Sequence, residues 1–200
     1  MIVKTSMQKQ LINIEKPNAF LLFTNTLYDL IYNSIIEGFK SIVFICIGTD
    51  RSTGDSLGPL VGYRINNIKQ KNVYIHGNLE NPVHAKNLDK TMGEIRQEHI
   101  KPFIIAIDAC LGKMEHVGCI SIEVGPIKPG SAMNKDLLPI GDISIMGIVN
   151  FGGFMDFLIL QNTRLYLVMK MAELIANGIR YAIWKAKNNS VLCPFFEDIC

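Results

Sequence analysis

The residues best suited to chemistry lie in two acidic loops, Gly48-Thr49-Asp50-Arg51-Ser52-Thr53-Gly54-Asp55 and Asp108-Ala109-Cys110-Leu111-Gly112, each following a short apolar run. If those runs are strands of one parallel sheet, both loops open beyond its carboxyl edge, where such sheets place their sites, and Asp55 and Asp108 converge. Two carboxylates close together and partly desolvated cannot both ionise cheaply. One is driven to keep its proton, and the pair can then act as acid and base on a water. The same pair would alternatively hold a divalent metal that activates the water. Plain structural roles compete: Asp55 as a helix N-cap, Asp108 as an acceptor for loop amides.

Other residues offer weaker chemistry. Arg51 has the forked donors that orient a carboxylate or a peptide carbonyl, although a solvated arginine fits the position equally well. His84, in GNLENPVHAKNL, falls where a helix is expected to begin near the same sheet edge and could serve as base or ligand, against a plain capping or surface role. Cys110, two residues past Asp108, raises a cysteine nucleophile, whereas most cysteines in apolar surroundings only pack. The glycine-rich loop does not read as a phosphate cradle. A Walker loop needs Lys after its second Gly where this chain has Asp55, and Gly48 and Gly54 fit no G-x-G-x-x-G.

The elements that must position these residues alternate. Helical spacing at Leu27, Leu30, Ile31, Ile35 and Ile36 predicts a helix over 27–39, and the run Ser41 to Ile47 predicts a strand covered on both faces. A helix starts close to Asp55, with Pro59 tolerated only in its first turn. Then come a strand at 73–76, a helix over about 83–98 and an apolar strand at 103–107 stopping at Asp108. Strands at 119–124 and 143–149 flank a Pro- and Gly-rich loop at 125–142, long enough to border a site. A helix over 162–187 ends the series. The expectation is one α/β domain at 26–188 with a mainly parallel sheet, an N-terminal extension at 1–25 and a tail at 189–200.

Composition narrows the function classes. Twenty Lys plus Arg against eighteen Asp plus Glu leave a formal charge of +2, so no field attracts nucleic acid or anionic membrane. Five cysteines without a C-x-x-C pair read as reduced thiols of the cytoplasm. Lys4, Lys9, Glu15 and Lys16 interrupt every apolar stretch short of a signal peptide, and no window reaches membrane-spanning length, so neither secretion nor insertion is expected.

Several long blocks, CIGTDRSTGDSLGPLVG at 46–62, NPVHAKNL at 81–88, AIDACLG at 106–112, GPIKPGSAMNKDLLPIGDISIMGIVN at 125–150 and LQNTRL at 160–165, resemble the YyaC family of sporulation proteins. That family is similar to the germination protease of spores and, more distantly, to hydrogenase maturation endopeptidases. The resemblance implies a three-layer α/β/α sandwich and an aspartic-type peptidase. By motif the catalytic carboxylates fall on Asp55 in TGDSLGP and Asp108 in IDACLG. The loop Thr49, Asp50, Arg51, Ser52 and Thr53 would shape the substrate cleft together with His84 and Asn150. Hydrogenase-type peptidases use a later histidine to recognise nickel, but GDISIMGIVNFGG has none, Asn150 and Ser144 being its nearest polar residues. The resemblance thus implies no cofactor, a divalent metal at Asp55/Asp108 staying the alternative. The implied partner is a protein or peptide substrate such as the small acid-soluble spore proteins, in the cytoplasm of the spore-forming cell or forespore, with homo-oligomerisation left open. The rival reading on the same fold is a non-catalytic interaction or assembly protein.

Overall fold

The computed structural model describes residues 9–128 and 138–196. In chain order the elements are β1 (Lys9–Asn13), α1 (Ala19–Ile36), β2 (Ser41–Cys46), α2 (Leu57–Ile65), β3 (Val73–His76), α3 (Leu88–Glu98), β4 (Pro102–Gly112), β5 (Cys119–Val124), β6 (Ile143–Phe151), α4 (Asp156–Gln161), α5 (Leu165–Lys187) and α6 (Cys193–Phe196). The sheet runs β1-β5-β6-β4-β2-β3. Strands β3, β2, β4 and β6 are parallel neighbours, while β5 is antiparallel to both β6 and β1. Helices flank this mostly parallel sheet, giving the expected α/β sandwich.

Strand β2 shows why a continuous apolar run is needed at the centre. Ile42, Phe44 and Cys46 join a core shared with α1, α2 and α5, while Val43, Ile45 and Ile47 join the core under α3. Both faces of the strand are buried, so neither parity can be polar. In β4, Phe103, Ile105 and Ile107 belong to the first core and Ile104 and Ala106 to the second. Asp108 continues that second parity and so faces the α3 side.

Several boundaries differ from the sequence expectation. The segment assigned to an extension contains β1, in which Ile12 is buried and Leu11 exposed, the alternation of a half-buried edge strand. Helix α1 begins at Ala19, its first turns anchored by fully buried Phe23. The tail also docks: Leu192 and Phe196 are buried, and Asn72 Nδ2 donates to the Phe195 carbonyl at 2.7 Å. Helix α3 begins at Leu88 rather than near 83, because Val83 instead bridges to Ile47 as an extra strand residue. Strand β4 does not stop at Asp108 but pairs with β6 as far as Gly112, with an irregularity at Cys110/Leu111. The helix expected over 162–187 begins at Leu165 as α5, and a separate short helix not expected from the sequence, α4, precedes it. Of the long loop at 125–142, Ile127 and Ile140 form a buried antiparallel bridge, and 129–137 lie outside the described residues.

The contact that sets the site is between α2 and the sheet. A Cβ added at Gly58 would overlap the Ile47 carbonyl, and one at Gly62 the Gly77 carbonyl. Backbone therefore meets backbone along one helix face, with glycine at i and i+4. We expect Gly58→Ala or Gly62→Ala to cost about 3 kcal/mol, since the overlap is with backbone carbonyls that cannot swing aside. Gly93→Ala is the control. Nothing lies within 4 Å of its added Cβ, and helix propensity should make it stabilising by about 0.5 to 1 kcal/mol in urea unfolding.

Candidate active site

Asp55 sits in a 3₁₀ turn, Gly54–Ser56, that leads straight into α2. The loop before it closes on itself. Gly48 has φ of 137° and its Cβ position is taken up by the Asp55 carbonyl, a conformation and an approach that only glycine allows. The Thr49 N–H donates to that carbonyl at 3.0 Å, and the Gly48 N–H donates to the Val83 carbonyl at 2.8 Å. Gly48 and Thr49 thus tie Asp55's turn to the segment carrying His84. The Thr53 carbonyl accepts from Ser56 Oγ at 2.6 Å, fixing the turn's entry.

Asp108 is 6% exposed. Strand β2 pairs with β4 only as far as Cys46 against Ile107, and the Ile47 N–H donates to the Ile107 carbonyl at 2.7 Å. From Asp108 onward that flank of β4 has lost its strand partner, and the 3₁₀ turn bearing Asp55 touches β4 instead. Asp108 is therefore at the carboxyl end of the β2/β4 pairing although not at the end of its strand. Its Oδ1 accepts the Ala109 N–H at 2.8 Å.

Burial raises both carboxyls above their ordinary range, Asp108 well above it. For Asp108 desolvation is the larger cause and the Asp55 charge the second, only partly opposed by the Ala109 N–H. For Asp55 desolvation also leads, opposed by the Thr49 N–H and by the nearby His84. Asp108 is thus the pair's proton holder and Asp55 the member that ionises first. Burial, and then the Asp108 charge, push the Cys110 thiol up to about 12, which leaves it protonated and disfavours the cysteine nucleophile.

His84 is held by its neighbours. Its N–H donates to Asn87 Oδ1 at 2.8 Å, and Asn87 Nδ2 donates to the Pro82 carbonyl at 3.0 Å. Asn78 Oδ1 accepts the N–H groups of Glu80 and Asn81 at 2.9 and 2.8 Å. These two asparagines frame the loop by side-chain bonds to its backbone, and His84 Nδ1 is left buried without a partner. Ser52, 8% exposed, likewise has an Oγ without a partner. Thr49 and Thr53 are half-buried, whereas Asp50 and Arg51 are exposed. Asn150 donates from Nδ2 to Thr163 Oγ1 at 3.3 Å.

Thr163 is a residue that sequence reading passed over. It is buried, its Oγ donates to the Ile159 carbonyl at 2.9 Å, and it stands 3.0 Å from where a Cβ of Gly54 would be. It therefore joins Asn150 and the break between α4 and α5 to Asp55's turn. The block LQNTRL was the available signal. Among the described residues no three His, Cys, Asp or Glu side chains gather as a metal-ligand set.

A mostly parallel sheet with a carboxylate pair at the edge of its central strands defines the class, and the chain belongs to the family described as Protein of unknown function (DUF1256), whose model matches residues 11–178. It is 51% identical over 140 residues to the uncharacterized protein YyaC of Bacillus subtilis (strain 168), covering 70% of this chain and 68% of that one. Among solved structures it is similar to the NiFe hydrogenase maturation protease HycI from Thermococcus kodakarensis KOD1, at 19% identity and a TM-score of 0.40 over 75% of this chain and 99% of that one. That likeness is too loose to carry chemistry from one to the other.

The raised Asp108 carboxyl has a stability consequence. The folded state keeps a proton that the unfolded chain releases near pH ~4, so stability is greatest with respect to this group below that pH and falls as pH rises toward the folded value. Asp108→Asn should therefore be more stable than wild type at pH 7, on the order of 1 kcal/mol. The two thermal-unfolding curves should converge below pH ~4.

Proposed function

We propose that the chain is a sporulation-associated endopeptidase of the germination-protease-like type, in which Asp55 and Asp108 share one proton. The observation that carries this reading is the buried carboxylate pair itself, in which burial raises both groups above their ordinary range and the Asp55 charge raises Asp108 further. Ionised Asp55 takes a proton from a water as the water's oxygen bonds to the peptide carbonyl carbon, and Asp108 gives its proton to the carbonyl oxygen. Asp55 then passes its proton to the amide nitrogen, the C–N bond breaks, and Asp108 recovers a proton as the carbonyl reforms. The pair returns to its starting state with one water consumed.

The sporulation setting, the cytoplasm of the spore-forming cell or forespore, and small acid-soluble spore proteins as substrates rest on the resemblance to YyaC proteins. No helix among the described residues is long and apolar enough to cross a membrane.

Incubating the purified protein with small acid-soluble spore proteins and a sporulating-cell lysate should yield new peptide termini by mass spectrometry. Asp55→Asn and Asp108→Asn should each lower the rate by more than about a thousandfold. Full cleavage by both variants would sink the reading. The rate should follow a bell in pH, rising as Asp55 ionises and falling as Asp108 loses its proton, with both limbs above pH ~4. Chelators should leave the rate unchanged. Loss on chelation with recovery on adding nickel, zinc or manganese would place a metal at the pair instead.

The rival reading, a non-catalytic interaction protein, is favoured by one feature. Helix α4 has no buried residue, and Phe154, Phe157 and Leu158 on and before it are exposed, an apolar surface of the kind that binds other chains. An Asp55→Asn/Asp108→Asn double variant with full function in sporulating cells, alongside loss of function in Phe154→Ser/Phe157→Ser, would establish that alternative.

A further inference from the structure

We infer that the cleft beside His84 is a specificity pocket for a cationic side chain, lysine or arginine, next to the bond that the carboxylate pair would cleave. This rests on the peptidase reading for its role and on the cleft's own geometry for its ligand. The cleft has a volume of about 510 Å³ and lies between the end of β3, the loop framed by Asn78 and Asn87, and the outer turns of α3. That is within the range of small-molecule sites and larger than one extended basic side chain, so water would fill the remainder.

The wall selects for positive charge. Glu80 and Glu94 line it, and no Lys or Arg does. The other polar lining groups include Asn81, Thr91, His76 and His84, which offer amide, hydroxyl and imidazole partners to a donor-rich head group. His76 does not offset the carboxylates. Burial first and His99 second lower its pKa, against the pull of Glu98 and Glu94, so at neutral pH it stays uncharged. Lys90 reaches Glu94 at 3.5 Å in an exposed pair, and such pairs are weakly held and easily exchanged.

The cleft adjoins the carboxylate pair through His84. His84 lines it, and the same histidine is close enough to Asp55 to favour that residue's ionised form. The Val83 carbonyl accepts the Gly48 N–H, so the cleft's rim is hydrogen-bonded to the loop that leads to Asp55. A substrate carbonyl at the pair therefore has a neighbouring side chain over the cleft. His84 Nδ1 is itself buried and without a partner in the protein, a polar atom with its hydrogen bond unmet at the margin of the cleft. The frame needs no rearrangement, since Asn78 and Asn87 already fix it, and that lowers the ordering cost of binding.

Two measurements test the pocket and separate its failure from that of the peptidase reading. In ¹H–¹⁵N NMR of the full chain, Nα-acetyl-arginine amide should give saturable shifts at Asn78, Asn81, Asn87 and Thr91. Those shifts should vanish in Glu80→Gln/Glu94→Gln and be absent with Nα-acetyl-norleucine amide. Equal shifts with the neutral probe, or none at these residues, would overturn the pocket whether or not the protein cleaves peptides. In the cleavage assay, new termini should have Lys or Arg enriched at one position beside the cut. The double Gln variant should raise KM for such peptides about tenfold with kcat little changed. Asp55-dependent cleavage without that enrichment would overturn the pocket and leave the peptidase standing.

Discussion

How near α2 can approach the sheet decides where Asp55 lies, and the rest of the site follows from that. With glycine at 58 and 62 the helix rests directly on the carbonyls of Ile47 and Gly77. A side chain at either position would lift the helix by an ångström or more, and the 3₁₀ turn at its start would leave β4. Gly48 plays the matching part below the turn, letting the chain double back so that Thr49 bonds the Asp55 carbonyl. Four segments, the end of β2, the turn, Val83 and β4, are thereby locked into one piece of backbone. Preorganisation of this kind is what a carboxylate pair needs, because water would otherwise screen the two charges from each other.

The pair is an electrostatic cost that the fold carries. A buried aspartate with one backbone N–H and a neighbouring carboxylate is poorly solvated in its charged form, so the folded state favours keeping its proton. Asp55 differs in being only partly buried and in having both the Thr49 N–H and His84 on its side. On the proposed peptidase reading, this asymmetry, rather than the presence of two acids, is what would make Asp55 the base and Asp108 the acid. It also explains why an isosteric amide at Asp108 would gain stability while removing the proton that the proposed chemistry would use, the usual conflict between a stable core and a reactive one.

The sheet was legible in the sequence where packing demands a simple pattern. Ser41 to Ile47 and Phe103 to Ile107 must be apolar on both parities because helices cover both faces, and both runs are strands in the structure. Lys9–Asn13 was not legible, because a five-residue edge strand buries few of its side chains and its partner β5 lies more than a hundred residues away. The end of β4 was misjudged for a related reason: Asp108 to Gly112 no longer has β2 beside it, so its composition stops looking like a central strand while its backbone still pairs with β6. The nearness of Asp55 to Asp108 was readable from their places after apolar runs. The link between Asn150 and Thr163 was not, because it joins two separate segments, and the framing bonds of Asn87, local though they are, arise inside a segment whose periodicity read as helix.

The lateness of α3 has the widest consequence for the site. Helical periodicity extended back to Val83, yet Val83 continues the sheet beside Ile47 and the helix starts only at Leu88. Asn87 settles the competition: bonded to His84 and Pro82 by its side chain, it closes a turn that a continuous helix would have to break. The residues released from the helix, 84–87, bring His84 to the carboxylates and leave open space between the loop and the helix's polar flank. On the other face α1, α2 and α5 pack into a large continuous core, whereas on this face the cover is chiefly α3 with the Ile127–Ile140 bridge.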